Sequence, residues 1–145
     1  MYKHVLVPTD GSPLANKAIE AAISYAAESG AKVTGYYAIE DMNMHHAGAY
    51  LTAELREEFD KRARAAAEDQ ATAPAKAASA AGVAFDWRMS KVRYPHEGII
   101  EAANASGSDV IFMATHGHGS FAGAVLGSVT QRVLSHSKIP VLVLR

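Results

Sequence analysis

The chain contains no cysteine in 145 residues. Disulfides, thiolate metal sites and thiol nucleophiles are therefore excluded. It also lacks an excess of charge of either sign, with 14 Lys+Arg against 15 Asp+Glu and a net charge of −1. Coating nucleic acid or an anionic membrane needs a concentrated positive field, so neither is an expected partner. No apolar run approaches the roughly 20 residues of a membrane span. Met1 leads quickly into a short strand-like run and not into a signal peptide. The expectation is a soluble, cytoplasmic protein. What is abundant is apolar surface, at 49% of residues. A single domain over residues 1–145 would bury roughly 68–70% of its unfolded surface at this size.

Short apolar runs occur at His4 to Val7, Lys32 to Ile39, Val83 to Met89, Asp109 to Ala114 and Pro140 to Leu144. All have strand length. Val5-Leu6-Val7, Val110-Ile111-Phe112-Met113 and Val141-Leu142-Val143-Leu144 are continuously apolar, as in parallel strands covered on both faces. By contrast, Val83, Phe85, Trp87 and Met89 alternate with Ala84, Asp86, Arg88 and Ser90, the pattern of a half-exposed strand near a sheet edge.

Helical patterns fill the gaps. Ser12-Pro13 reads as an N-cap followed by proline at the first helical position, with a helix to Gly30. A longer helical region runs from about Thr52 to Ala81, and Pro74 should kink or break it. Further helices begin near Pro95, ending at Ser106-Gly107, and near Gly127-Ser128, ending about Ser135. Asp41 to Tyr50 has neither period and reads as a loop. Strands alternating with helices make right-handed βαβ units, hence a doubly wound α/β fold with a parallel sheet and helices on both faces.

In such sheets ligands bind at the carboxyl ends of the strands, where the winding reverses. Two loops qualify. One is Pro8-Thr9-Asp10-Gly11-Ser12; the other starts at Thr115-His116-Gly117-His118-Gly119-Ser120, continues through Phe121 to Leu126 and ends at Gly127-Ser128-Val129-Thr130. Gly117 and Gly119 allow close backbone approach, and Gly127-Ser128 opens a helix whose free N–H groups favour phosphate. The Ser128 and Thr130 hydroxyls are candidates for further bonds. Asp10 is suited to a divalent ion that bridges phosphate oxygens. Glycines that merely turn the chain, with Asp10 supporting a turn, are the plainer alternative. Neither the P-loop nor the dinucleotide fingerprint is present, since Ala122 stands where G-x-G-x-x-G needs glycine.

With Ala114-Thr115-His116-Gly117, nine residues from His118 to Leu126, and then Gly127-Ser128, the chain resembles the ATP-binding branch of the universal stress proteins. The motif there is glycine, two residues, glycine, nine residues, glycine, then Ser or Thr. The likeness extends to Val7-Pro8-Thr9-Asp10-Gly11-Ser12, Ser106-Gly107-Ser108-Asp109 and Lys138-Ile139-Pro140-Val141-Leu142-Val143, and so spans the chain. It implies a Rossmann-like, adenine nucleotide alpha hydrolase-like fold with a five-stranded parallel sheet. It also implies ATP with Mg (or Mn) as the bound cofactor. Pro8, Thr9 and Asp10 would lie near the ribose, phosphates or metal, with Asp10 the metal residue. Ala38 would meet adenine through its backbone after the second strand. Met113 and Ala114 would line base and sugar; Gly117, Gly127, Ser128, Val129 and Thr130 would hold phosphates. A homodimer through the last strand, residues 140–144, is implied as well, and slow ATP hydrolysis or self-phosphorylation is known of some relatives.

Two departures stand out. Ala114 adds a methyl group where the motif has glycine, and His118 replaces a residue that is basic in many relatives. Two readings therefore stay open: a dimeric ATP-binding stress-response regulator, and a nucleotide-independent dimeric interaction protein whose site is impaired by Ala114. Other candidates are weaker. His45-His46 has no second ligand pair, His96-Glu97 fails as H-E-x-x-H because Ile100 holds the fifth position, and Trp87 does not alternate with basic residues. No dedicated catalytic constellation is evident.

Overall fold

A computed structural model of the chain describes residues 1–41, 51–118 and 126–145. The apolar runs form strands β1 (His4–Pro8), β2 (Lys32–Glu40), β3 (Phe85–Val92), β4 (Val110–Ala114) and β5 (Val141–Leu144). They make one five-stranded parallel sheet in the order β3-β2-β1-β4-β5. The chain winds outward from β1 to β3, then returns to the other side of β1. The reversal point thus lies between β1 and β4.

Continuous apolar sequence is required because both faces are covered. Val5 and Val7 join Ala18, Ile19, Ala22 and Ile23 of helix α1 (Pro13–Ser29) on one face. Leu6, from the same strand, points the other way into a core with Ile99 and Ala103 of α4 (Pro95–Ser106) and Val133 of α5 (Ser128–His136). The alternating β3 is the edge strand expected, with Asp86, Arg88 and Ser90 exposed. Helix α1 begins as its sequence requires: the Ser12 hydroxyl oxygen accepts from the Ala15 N–H at 3.2 Å, and Pro13 takes the first position. It ends at Gly30, whose φ of 75° is left-handed and closes the last turn onto the Ala26 carbonyl.

Two boundaries differ from the sequence reading. The long helical region divides into α2 (Ala53–Asp69) and α3 (Thr72–Ala80), so the break precedes Pro74, which is third in α3. A proline ring excludes the carbonyl four residues earlier, here that of Gln70, and is itself tolerated in a first turn. Strand β3 starts at Phe85 and runs to Val92, because the extension of β2 to Glu40 supplies partners for Ser90, Lys91 and Val92. The loop expected over Asp41 to Tyr50 falls on residues 42–50, which lie outside the described residues. Helix α2 buries only Ala67. Its Glu57–Lys61 and Glu58–Arg62 pairs, at 4.0 and 2.6 Å, lie on a solvated face. Among the described residues no helix is long and apolar enough to cross a membrane.

At the opposite end of the sheet from the strand tips, the Asp109 carboxylate accepts from the Lys3 and His4 N–H groups, both at 2.9 Å, and so ties β1 to β4. Burial alone would raise this carboxyl, but the backbone hydrogen bonds outweigh it and hold its pKa below the ordinary value. A depressed carboxyl stabilises the fold above its unfolded pKa, about 3.9, and that contribution disappears as pH falls through the folded value. Asp109→Asn should therefore lower stability at neutral pH and close the gap to the parent protein in strong acid. Urea unfolding between neutral pH and pH of about 2 measures this, and a gap independent of pH would contradict it.

Candidate functional site

The loops after β1 and β4 meet at the reversal point. Pro8 ends β1, and the buried Thr9 follows, its hydroxyl oxygen accepting from the Gly11 N–H at 3.0 Å. Gly11 has a φ of +81°, which lets the chain turn into α1. Asp10 bridges the two loops. One carboxylate oxygen accepts from the Ser12 N–H at 2.9 Å and the other from the His118 N–H at 2.7 Å. Burial is the largest single influence on this carboxyl and pushes it up; hydrogen bonding from Ser12 and the His118 N–H, with the nearby His118 imidazole, together prevails and holds it below its ordinary value. Asp10 is therefore an anion at neutral pH.

Gly117 explains why glycine is needed here. A Cβ at this position would overlap the Asp10 carboxylate. Gly127 closes the other end of the loop: its N–H donates to the Thr115 carbonyl at 2.7 Å, and a Cβ would lie 3.2 Å from the His116 Cα. The loop's two ends are thus tied beside the tip of β4. Gly127 is also the N-cap of α5, where no side chain caps the first turn. The Ser128, Val129 and Thr130 N–H groups have no carbonyl partner within the helix, and their dipoles favour an anion. By contrast, α1 and α2 are capped by Ser12 and Thr52.

Other residues are placed less simply. Thr130 is buried, and its hydroxyl donates to the Ala114 carbonyl at 2.9 Å, so its backbone N–H remains for a ligand and its hydroxyl proton does not. Met113 and Ala114 end β4 as buried residues. No non-glycine residue has a positive φ among those described, so Ala114 is unstrained where the motif has glycine. Ala38 lies within β2, two residues before its end, and not after it. Lys32 N–H donates to Lys3 and Tyr36 carbonyl accepts from Thr9, whereas Val33 N–H donates to Ala84 of the β3 side. Even-numbered peptide groups of β2 therefore face β1. Since β1 pairs no further than Pro8 with Tyr36, the Ala38 peptide group faces the crevice above the end of β1.

The sequence reading missed two contributors. His118 acts through its backbone N–H, and Gln70, at the α2–α3 joint, lies where a Cβ on Gly11 would approach its Oε1 to 3.0 Å. Neither leaves a mark in residue type or spacing. His116 bonds within the turn, its Nδ1 lying 3.1 Å from the Thr115 hydroxyl. Among the described residues no three His, Asp or Glu side chains cluster as a metal cage. Magnesium does not require one, because it is commonly bound through one or two carboxylates plus phosphate oxygens. The Asp10 carboxylate accepts the Ser12 and His118 N–H groups and a Ser12 side-chain bond, which still leaves acceptor capacity among its roughly four lone-pair sites, so the residue fits that role.

The universal stress protein family model matches residues 1–145. A universal stress protein of Methanocaldococcus jannaschii, MJ0531, is 30% identical over all of this chain and 83% of its own length. Among solved structures, that of the protein MJ0577 superposes with a TM-score of 0.85 at 28% identity, covering 99% of this chain and 96% of the other. A universal stress protein in complex with cAMP superposes with a TM-score of 0.68 at 26% identity, covering 99% and 97%.

Proposed function

The chain belongs to the universal stress protein family, and we propose that it binds Mg-ATP between the tips of β1 and β4 and serves as a dimeric stress-response regulator. The observation that carries this reading is the convergence of Asp10, Gly117 and the uncapped start of α5 at one crevice. Backbone N–H groups at Ser128, Val129 and Thr130 suit phosphate oxygens. Asp10 suits the magnesium ion, with manganese an equivalent hard cation. The Ala38 peptide group offers one donor and one acceptor, as an adenine edge requires, and buried Met113 and Ala114 offer an apolar wall. Pro8 and Thr9 complete the floor beside the sugar. The complex of a relative with cAMP is consistent with an adenine nucleotide.

Dimerisation through residues 140–144 is supported by the character of β5. It is a sheet edge of apolar side chains, with Leu142 45% exposed. Such an edge is open to pairing with another chain.

Calorimetry tests the nucleotide reading. Mg-ATP should bind at one site per chain, and Asp10→Ala should abolish most of the dependence on magnesium while leaving the fold intact. Absence of binding at millimolar nucleotide would remove the proposal in favour of a nucleotide-independent interaction protein. The Ala114 methyl group is the feature that favours that second reading, and Ala114→Gly restoring binding would identify it as the cause.

A further inference from the structure

Away from the crevice, the first turn of α4 meets the last turn of α5, and a groove of about 450 Å³ runs along the contact, lined by His96, Glu97, Ile100, Glu101, Asn104 and His136. Two imidazoles pack there. The His96 and His136 rings have centroids 5.4 Å apart with planes tilted by 45°, and Tyr94 is a further ring neighbour of His96 at 6.0 Å. These are the separations of packed aromatic pairs. His136 is anchored, with its Nδ1 2.8 Å from the Arg132 carbonyl. His96 is not: it is 8% exposed, and its ring has no hydrogen-bond partner among the described residues.

A proton on His96 would be badly placed. The residue stands second in α4, after Pro95, where unpaired N–H groups make the helix end positive. From α5 it is faced by the Arg132 guanidinium and by His136. On α4 itself Glu97 is the opposing charge, but it is exposed, and successive helix positions do not face each other. Glu101 lines the groove one turn further on. Beneath α4 the sheet presents Tyr36, whose hydroxyl is engaged by Ser90 at 2.6 Å. Burial lowers the His96 pKa from its ordinary value, Glu97 opposes this, and Arg132 and His136 add to the lowering.

We propose that this stack is an acid-sensitive latch between two helices: a neutral His96 holds the last turn of α5 against α4, and a protonated His96 leaves its place for the groove and releases that turn. Little else holds it. The buried residues of α5 are Thr130 and Val133, and residues 134–136 beyond them are exposed. With the folded pKa depressed, the contribution of the stack is complete above the unfolded value of about 6.5 and is lost as pH falls through the folded value. The latch requires neither nucleotide nor a second chain.

Urea unfolding of the full chain at about pH 7.5 and about pH 5.5, on either side of the ordinary histidine value, tests it. The parent should lose more stability on acidification than His96→Phe, which keeps a packed ring and cannot titrate. Because the His4 pKa is also lowered, the measure is the difference between the two proteins. On the unaltered chain, the His96 ring protons should titrate in NMR with a midpoint below about 6.5. Amide exchange over residues 134–137, corrected for its intrinsic pH dependence, should lose protection at the lower pH while α1 keeps its own. Neither of these readouts needs a folded variant. A His96 midpoint at or above about 6.5, equal protection of that turn at both pH values, or an unchanged pH dependence in His96→Phe would overturn the latch.

Discussion

Gly117→Val is expected to weaken Mg-ATP binding by roughly 100-fold, which corresponds to about 2.7 kcal/mol. The reason is local. A side chain at residue 117 would occupy the position of the Asp10 carboxylate, so Asp10 must rotate away and release the His118 N–H. A hydrogen bond to a charged group contributes about 1.5–3 kcal/mol, and the displaced carboxylate is also the residue proposed to hold magnesium. A thermal melt of the variant separates lost affinity from lost fold. The coupling offers a stricter check. Once Asp10 is alanine, the steric conflict is gone, so the same valine should cost much less in an Asp10→Ala background. Equal costs in the two backgrounds would show that Gly117 acts by some route other than Asp10.

The largest expected effect on stability lies at Gly98, where α4 crosses β2. A Cβ there would overlap the Tyr36 hydroxyl and lie 2.8 Å from the Val92 Cγ1. Tyr36 is 1% exposed and its hydroxyl is 2.6 Å from the Ser90 hydroxyl, so the ring has little freedom to move. Alanine for glycine in a helix interior would by itself be favourable by about 1 kcal/mol. Overpacking costs about 1–3 kcal/mol, and breaking the part-buried Tyr36–Ser90 bond about 0.5–1.5 kcal/mol more. The packing losses prevail. Gly98→Val, near the upper end of the overpacking range, is expected to lose about 2–4 kcal/mol, and a midpoint lower by roughly 5–10 °C follows at roughly 2–4 °C per kcal/mol. A midpoint within a degree or two of the parent would mean that α4 can move off the sheet without loss.

The central strands β1 and β4 could be read from the sequence because burial on both faces favours continuous apolar runs, as Val5-Leu6-Val7 shows, and the edge strand β3 because its exposed face alternates. The start of α1 could be read because Ser12 and Pro13 act within a single turn. What escaped belongs to contacts between elements. The site of the α2–α3 break was misjudged by four residues because the proline's clash is felt at Gln70, away from Pro74 itself. The end of β3 depends on how far β2 extends. Asp10, Gly117, Gly127 and Ser128 could be chosen from glycine spacing and carboxylate position, but the bond between Asp10 and the His118 backbone could not. Likewise, His96 and His136 are 40 positions apart in the sequence, and only the packing of α4 against α5 brings their rings together.

Helix α2 differs from its neighbours in what holds it together. Ala67 alone is buried among its 17 residues, and one tie to the sheet is Asp60, 3.1 Å from the Lys91 ammonium of β3. Its helicity is therefore encoded locally, by alanine content, the Thr52 cap and the two i,i+4 pairs, because the core contributes so little. An element held in this way is replaceable. Changes of charge or length on its solvated face leave the strand cores untouched, as long as Asp60 keeps its Lys91 partner and Gln70 its place beside Gly11.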